Sequence, residues 1–334
     1  MAPRDYSARP AFKRVAAPPV SPVARRPAPA MGLVEWGILA LLALVWGSAF
    51  LFIKVAVTSF APLTYVWLRL LIAAAALSAF MRLAGHRLAL SVTVWAAIGL
   101  LALLNNVVPF MLFGWSQQHI ASGLAAILQA TTPIFGVIFA HLATVDEKLT
   151  KARLVGVVVG FTGVATMIGP QLLNDGGDHL MAQLACLFAS MLYALAGIFA
   201  RRFKAMGVNP TQLATAQFIT GAVMLAPVAL LFGQNIADLP TSFAAWGAVV
   251  ALGIVCSAFA YVLFFELVAR AGATNSLLVT LLVPPVALIV GSLVLGERFG
   301  AAQIGGLALI ALGLVVIDGR LVSPWARRLR PAAS

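Results

Sequence analysis

Charge is what this sequence has least of. Asp, Glu, Lys and Arg make up 10% of its 334 residues, where a soluble domain carries about 25%. Cysteine is equally scarce: Cys186 and Cys256 both fall inside apolar runs, so there is no disulfide framework and no zinc-type spacing. There is no H-E-x-x-H, no G-x-S-x-G and no glycine-rich phosphate loop. All ten carboxylates are expected in loops or at helix ends, and no connection is long enough for a soluble nucleotide-binding domain. These absences exclude a soluble enzyme, a disordered chain, a coiled coil and an ATP-driven pump. No catalytic residue, metal ligand or cofactor is expected.

What fills the space is apolar sequence, 62% of the chain, with a mean hydropathy of +1.01. That composition reads as a polytopic membrane protein. Ten runs are long and apolar enough to cross a bilayer as helices: 34–57, 62–83, 94–116, 121–143, 153–169, 180–200, 210–232, 243–267, 274–295 and 301–318. Residues 1–30, rich in Pro and Arg without periodicity, read as a disordered basic tail rather than a cleaved signal peptide. The net charge of +12 is assigned to orientation, not to nucleic acid. Nineteen of the 22 Lys and Arg residues fall on the tail's side of the expected spans, from the six in the tail through Arg82, Arg153, Arg201 and Arg270 to Arg330. The opposite side carries only Arg298, while Lys54 and Arg69 lie within runs. Basic loops stay in the cytoplasm, so both termini are expected there, in a bacterial inner membrane.

The chain also repeats itself. A shift of 151 residues brings Trp95 onto Trp246, Phe113 onto Phe264 and Pro133 onto Pro284. After a one-residue slip, Glu147-Lys148 meets Glu297-Arg298, Gly156 meets Gly306 and Gly163 meets Gly313. Each half holds five runs, an odd number, so the second half must cross in the opposite sense. The expected architecture is an all-α integral membrane protein of ten transmembrane helices in two inverted five-helix repeats. The expected divisions are 31–170 and 171–320, followed by a cytoplasmic tail at 321–334. Inverted repeats recur in secondary transporters.

Several motifs resemble the EamA-type transporters of the drug/metabolite transporter superfamily. They are Trp46-Gly47-Ser48-Ala49-Phe50, the stretch from Ala121-Ser122-Gly123 to Thr132-Pro133, and Leu295-Gly296-Glu297-Arg298-Phe299. Arg69 also stands where that family usually has an arginine. The first half departs at Val145-Asp146-Glu147-Lys148, where the family pattern is Leu-Gly-Glu-Arg. The resemblance spans about residues 34–318. It implies ten helices, alternating access and export of small metabolites, with amino acids the best-populated substrate class.

Polar side chains at membrane depth are costly and usually functional. The middles of the runs give ten candidate substrate-binding residues: Trp46, Asn105, Asn106, Gln129, Thr132, Ser190, Tyr193, Ser257, Tyr261 and Thr280. Asn105-Asn106 and the Cys256-Ser257 pair are repeat equivalents. For the asparagines the alternative is interhelical glue, and for the hydroxyls it is bonding to their own helix carbonyls. Trp46 reads as a cavity wall or as part of a close helix crossing at Gly47. Pro109, Pro133, Pro284 and Pro285 remove backbone hydrogen bonds inside runs and are candidate hinges. Arg69 either snorkels outward or attracts a substrate carboxylate, and Lys54 is expected to snorkel.

The function expected is export of small metabolites by alternating access, amino acids with neutral or aromatic side chains first. No acid or histidine is expected at mid-depth, Glu266 being the nearest, which favours facilitated movement. The alternative is a proton-coupled exporter of purines or amphipathic compounds. A channel and a membrane-embedded lipid-modifying enzyme rank lower. The expected partners are the small-molecule substrate and the lipid bilayer, with no nucleic acid; the sequence leaves the oligomeric state open, and a monomer is compatible with it. The charge bias yields a direct test: reporter fusions at the N- and C-termini should both read cytoplasmic, and a periplasmic C-terminus would overturn the inverted repeat.

Overall fold

The computed structural model describes residues 31–143, 150–174, 178–235, 238–276 and 278–318. The basic tail at 1–30, the altered motif at 145–148 and the tail at 321–334 lie outside the described residues. Among the described residues every regular element is helical and none is a strand.

In chain order the first half contains α1 (Leu33–Ala56), α2 (Pro62–Leu83), α3 (Val92–Ala102) and α4 (Val108–His119), then α5 (Ser122–Gln129), α6 (Thr132–Ala143) and α7 (Lys151–Asn174). The second contains α8 (Asp178–Ala205), α9 (Pro210–Phe232), α10 (Phe243–Gly253), α11 (Ala260–Ala271), α12 (Ala273–Ser276), α13 (Val279–Leu295) and α14 (Ala301–Asp318). A π-helical turn, Leu103–Val107, joins α3 to α4, and another, Ile254–Phe259, joins α10 to α11. Each of these pairs forms one continuous rod. Among the described residues eight rods are long and apolar enough to cross a membrane. Two shorter apolar helices, Val279–Leu295 and Ala301–Ile317, bring the set to ten. Two expected runs differ in form. The fourth breaks at Ala130-Thr131 into α5 and α6, and the ninth divides into the single turn α12 and the 17-residue α13.

The repeat recurs in the local signals that start helices. Proline, which has no N–H to leave unpaired at a first turn, opens both α2 and α9 as Pro62 and Pro210. Ser91 and Ser242, 151 residues apart, cap α3 and α10 by accepting from Val94 N and Ala245 N at 3.4 and 3.3 Å. A serine oxygen at this position satisfies one of the N–H groups that a helix start leaves without a partner.

Packing shows the inversion directly. A Cβ on Gly156 would lie 2.6 Å from Gly313 O, and one on Gly163 would lie 2.6 Å from Gly306 O. As the number rises along α7, its neighbour's number falls along α14, so the fifth rods of the two halves run antiparallel. Gly156 and Gly306 are repeat equivalents, as are Gly163 and Gly313. Each glycine therefore meets the other's equivalent, the self-complementary pattern of a two-fold contact. Small residues let membrane helices approach this closely. The remaining contacts obey the same exchange. The first rod of each half packs on the fourth of the other (α1 on α13, α8 on α5 and α6), and α2 packs on α9. Gly47 permits the α1–α13 crossing, because a Cβ there would lie 3.1 Å from Val283 O and closer still to the Val286 side chain. Large apolar side chains such as Leu33, Phe232, Phe243 and Leu293 point outward, nearly fully exposed. In a bilayer that surface meets acyl chains instead of water.

Any added side chain at the α7–α14 crossing strikes backbone that has no rotamer to change. Gly156→Val and Gly313→Val should each destabilise the protein by about 2 kcal/mol, read as a lower melting temperature in detergent. Gly247→Ala, where a Cβ meets nothing within 4 Å, should leave that temperature unchanged.

Candidate substrate-binding cavity

Both polar pairs singled out in the sequence sit on π-turns: Asn105-Asn106 on the first, Cys256-Ser257 on the second. Pro109 cannot donate to the Asn105 carbonyl, which favours a local change of register there. The second turn has no proline, so the wider turn belongs to the repeat and not to Pro109. A π-turn inserts one residue into the helical ladder and re-aims the side chains around it.

The two turns flank a cavity of ≈ 230 Å³ between the halves. That is a little under the range of about 300–1,000 Å³ usual for small-molecule sites, the scale of a small metabolite. The first half contributes Trp46, Phe50, Arg69 and Asn105, together with Phe110 and Phe113 on α4. Gln129 and Thr132, either side of the α5–α6 break, complete that wall. The second half contributes Tyr193, Cys256 and Tyr261, with Thr280 and Pro284 at the start of α13.

Two hydrogen-bonded groups span the halves at this cavity. Asn105 Nδ2 donates to Gln217 Oε1 and to Tyr261 Oη, both at 3.0 Å. Arg69, only 6% exposed, stacks its guanidinium 3.7 Å from the centre of the Phe110 ring. Its Nε donates to Ser257 Oγ at 3.1 Å. Aromatic rings make up much of the remaining wall, beside Ile53, Val283 and small residues. Phe113 stacks on Tyr193 with centroids 6.0 Å apart, and Trp46 rests against Phe264 at 5.5 Å.

Seven of the ten candidate residues, together with Arg69 and Pro284, line this space. Asn106, Ser190 and Ser257 do not. Asn106 is fully buried near the Tyr261 hydroxyl and makes no hydrogen bond of standard geometry. Ser190 Oγ donates to Cys186 O at 2.9 Å and Leu128 O at 3.2 Å, tying α8 to α5. Ser257 is buried behind Arg69. Pro109, Pro133 and Pro285 stand outside the wall as well. Helix α13 runs through Pro284 and Pro285 without interruption, whereas Pro133 follows directly on the α5–α6 break. There the carbonyls are met locally: Thr131 Oγ1 donates to Leu128 O at 2.6 Å and Thr132 Oγ1 to Gln129 O at 2.8 Å. Gln217, Cys256 and the three phenylalanines are absent from the sequence-based set. Gln217 could have been found by the mid-span polarity that selected the others. The phenylalanines carry no signal that separates a cavity wall from core packing.

Two of the charged side chains correct expectations. Lys54 does not snorkel. Its Nζ donates to Gln117 O and Ile120 O at 2.6 and 3.0 Å, closing the C-terminal end of α4. Glu266 sits where it was expected, half exposed, and pairs with Arg270 Nε at 2.6 Å. Glu297, expected only as a loop residue, is an anchor between the halves. Oε1 accepts from Ser122 N at 2.7 Å, while Oε2 accepts from Ser122 Oγ at 2.9 Å and from Gly123 N at 3.1 Å. A carboxylate is well placed there, against the unpaired N–H groups and positive dipole end of α5.

The sequence model of the EamA-like transporter family matches the chain twice, over residues 35–169 and 180–318. The chain is 29% identical to an inner membrane transporter of Escherichia coli, YedA, over 86% of this chain and 90% of that one. It is 25% identical to the transporter YoaV of Bacillus subtilis, over 84% and 95%. It is 28% identical to a probable terminal-alkyne amino-acid exporter of Streptantibioticus cattleyicolor, over 63% and 68%. A solved crystal structure at 19% identity superposes with a TM-score of 0.63, covering 87% of this chain and 99% of the other, which shows a shared fold.

The Glu297 anchor is open to test. Glu297→Gln keeps the shape but lacks the charge and offers only one acceptor oxygen. It should destabilise the folded protein by about 2 kcal/mol, read as a lower melting temperature in detergent. Arg298→Gln, next to it and exposed, should not.

Proposed function

The chain belongs to the EamA-like transporter family, and from that premise we propose that it exports small metabolites, amino acids with neutral or aromatic side chains foremost. It is a multi-pass membrane transporter. We place it in an inner membrane with both termini cytoplasmic, in line with its charge bias and with the E. coli relative. The observation that carries the substrate reading is the cavity itself. It is bounded by polar groups from both halves, and its wall is otherwise aromatic and aliphatic. Such a wall receives an apolar side chain well and a second full charge poorly. The similarity to a probable amino-acid exporter supports the same class.

Alternating access fits a site shared by two inverted repeats, since a small rotation of one half against the other opens it to one side and closes it to the other. Transport, not catalysis, suits a wall in which no described residue is a carboxylate or a histidine. For the same reason the proposed movement is facilitated, driven by the substrate's own gradient. Proton coupling normally uses such a group at depth.

Purified protein in proteoliposomes tests the whole reading. Labelled phenylalanine or leucine should equilibrate across the membrane without an imposed gradient. Accumulation driven by a pH or sodium gradient would overturn the facilitator reading. Tyr261→Phe removes the hydroxyl that accepts from Asn105 and should raise the apparent KM about fivefold, the effect of one hydrogen bond worth about 1 kcal/mol. Asn105→Leu should do more, because it also leaves Gln217 unpaired. Wild-type rates in both variants, correctly inserted, would remove this network from the site.

A further inference from the structure

Arg69 is the cation of this cavity, and its surroundings are unusual for a buried charge. Buried charges are paired or hydrogen-bonded because removing them from water is expensive. Here Nε is engaged by Ser257 Oγ and one face of the guanidinium is covered by Phe110. The two Nη groups make no hydrogen bond with any described residue. The rest of the described wall offers amides, hydroxyls, a thiol and rings, with no acid among them. The site is therefore built for a charge of one sign. Ser257 and Phe110 fix the plane of the guanidinium, and the free edge is a fork of parallel N–H donors that matches the two oxygens of a carboxylate.

The opposite charge has no such receiver. An ammonium entering this space would meet neutral acceptors such as Thr280, Gln129 or the tyrosine hydroxyls. It would also bring a second cation near Arg69.

We infer that Arg69 is the specificity-determining residue of the cavity: it makes a carboxylate the obligatory group of the substrate and leaves the ammonium dispensable. The transported class is then an apolar body bearing one carboxylate, whether an amino acid or its deaminated analogue, and amines are excluded. This inference rests on the cavity being the transport site proposed above. Ser257 acts as a positioning residue, holding the fork in plane without touching the substrate.

Three probes that share one phenyl body separate the contributions. In proteoliposomes, phenylalanine and 3-phenylpropanoate should both be taken up. Phenethylamine, which has the ammonium alone, should enter at less than about a tenth of the phenylalanine rate. Arg69→Gln should raise the KM for both carboxylates about tenfold or more, the range for a hydrogen bond to a charged group. Arg69→Lys should recover part of that loss, because a lysine keeps the charge without the fork. Ser257→Ala should raise KM a few-fold and leave kcat unchanged. Arg69→Gln removes a buried hydrogen bond and could fold poorly, so a second readout is needed. The two carboxylates should raise the melting temperature of the wild type and of Ser257→Ala, and phenethylamine should not. Uptake of phenethylamine as fast as phenylalanine would overturn the inference, as would failure of both carboxylates to bind or move. If phenylalanine is carried and Arg69→Gln retains the same preference for carboxylates, Arg69 loses this role while the amino-acid reading stands. If only uncharged compounds such as nucleobases are carried, both fall.

Discussion

A backbone carbonyl or N–H that loses its helical partner inside a bilayer must find another within the protein, and this fold is arranged around that requirement. Helix breaks and ends lie near where the two halves meet, and three of them are met by side chains. At the α5–α6 break the repair is local, by the Thr131 and Thr132 hydroxyls. At the start of α5 it is distant, by the Glu297 carboxylate 175 residues away. At the end of α4 it is Lys54 of α1. The π-turns are the mildest breaks, and each aims one member of its polar pair at the cavity. Irregular backbone and polar side chains thus gather in one region because that is where they can be satisfied. A region so built is also one a polar solute can enter.

The same requirement explains why the halves depend on each other. Neither repeat closes the cavity alone: Asn105 needs Gln217 and Tyr261, Arg69 needs Ser257, and α5 needs Glu297. The α7–α14 crossing adds a contact of another kind, in which the glycines of each rod face the backbone of the other. Two polar ties, Asn105 to Gln217 and Tyr261 and Arg69 to Ser257, lie at the cavity, and the Glu297 tie holds the start of α5.

Much of this was legible in the sequence, and the limits have physical causes. Helix number and the inverted repeat followed from hydropathy and from matched Trp, Pro and Gly positions, because those signals depend on burial and close approach. Seven of the ten residues chosen by one rule, that a polar group at membrane depth needs a reason to be there, line the cavity. The rule does not give direction. Asn105 and Asn106 are neighbours on the chain, so they point about 100° apart on a helix. A π-turn, invisible to a 3.6-residue period, decides which one faces the cavity. Ser190 shows the opposite case, in which the hydroxyl bonds its own helix as such groups often do. Glu297 eluded the reading because its partner lies in the other half. A loop carboxylate looks the same in sequence whether it meets water or caps a helix.

The charges divide by how completely they are answered. Glu266 is met by Arg270, Glu297 by α5, and Lys54 by two carbonyls. Glu297 and Lys54 set geometry by closing helix ends, and Glu266 is paired within its own helix. Arg69 is answered only in part, by an oxygen on one edge and a ring on one face. A lysine in its position would carry the same charge, but its ammonium is a strongly hydrated point charge with rotatable donors. Held half-bonded in an apolar wall, a lysine would recruit water or lose its proton. A guanidinium stays charged, hydrates weakly and tolerates an aromatic face. It can therefore remain in a buried cavity with part of its hydrogen-bonding capacity unused, which is the condition for meeting a solute there.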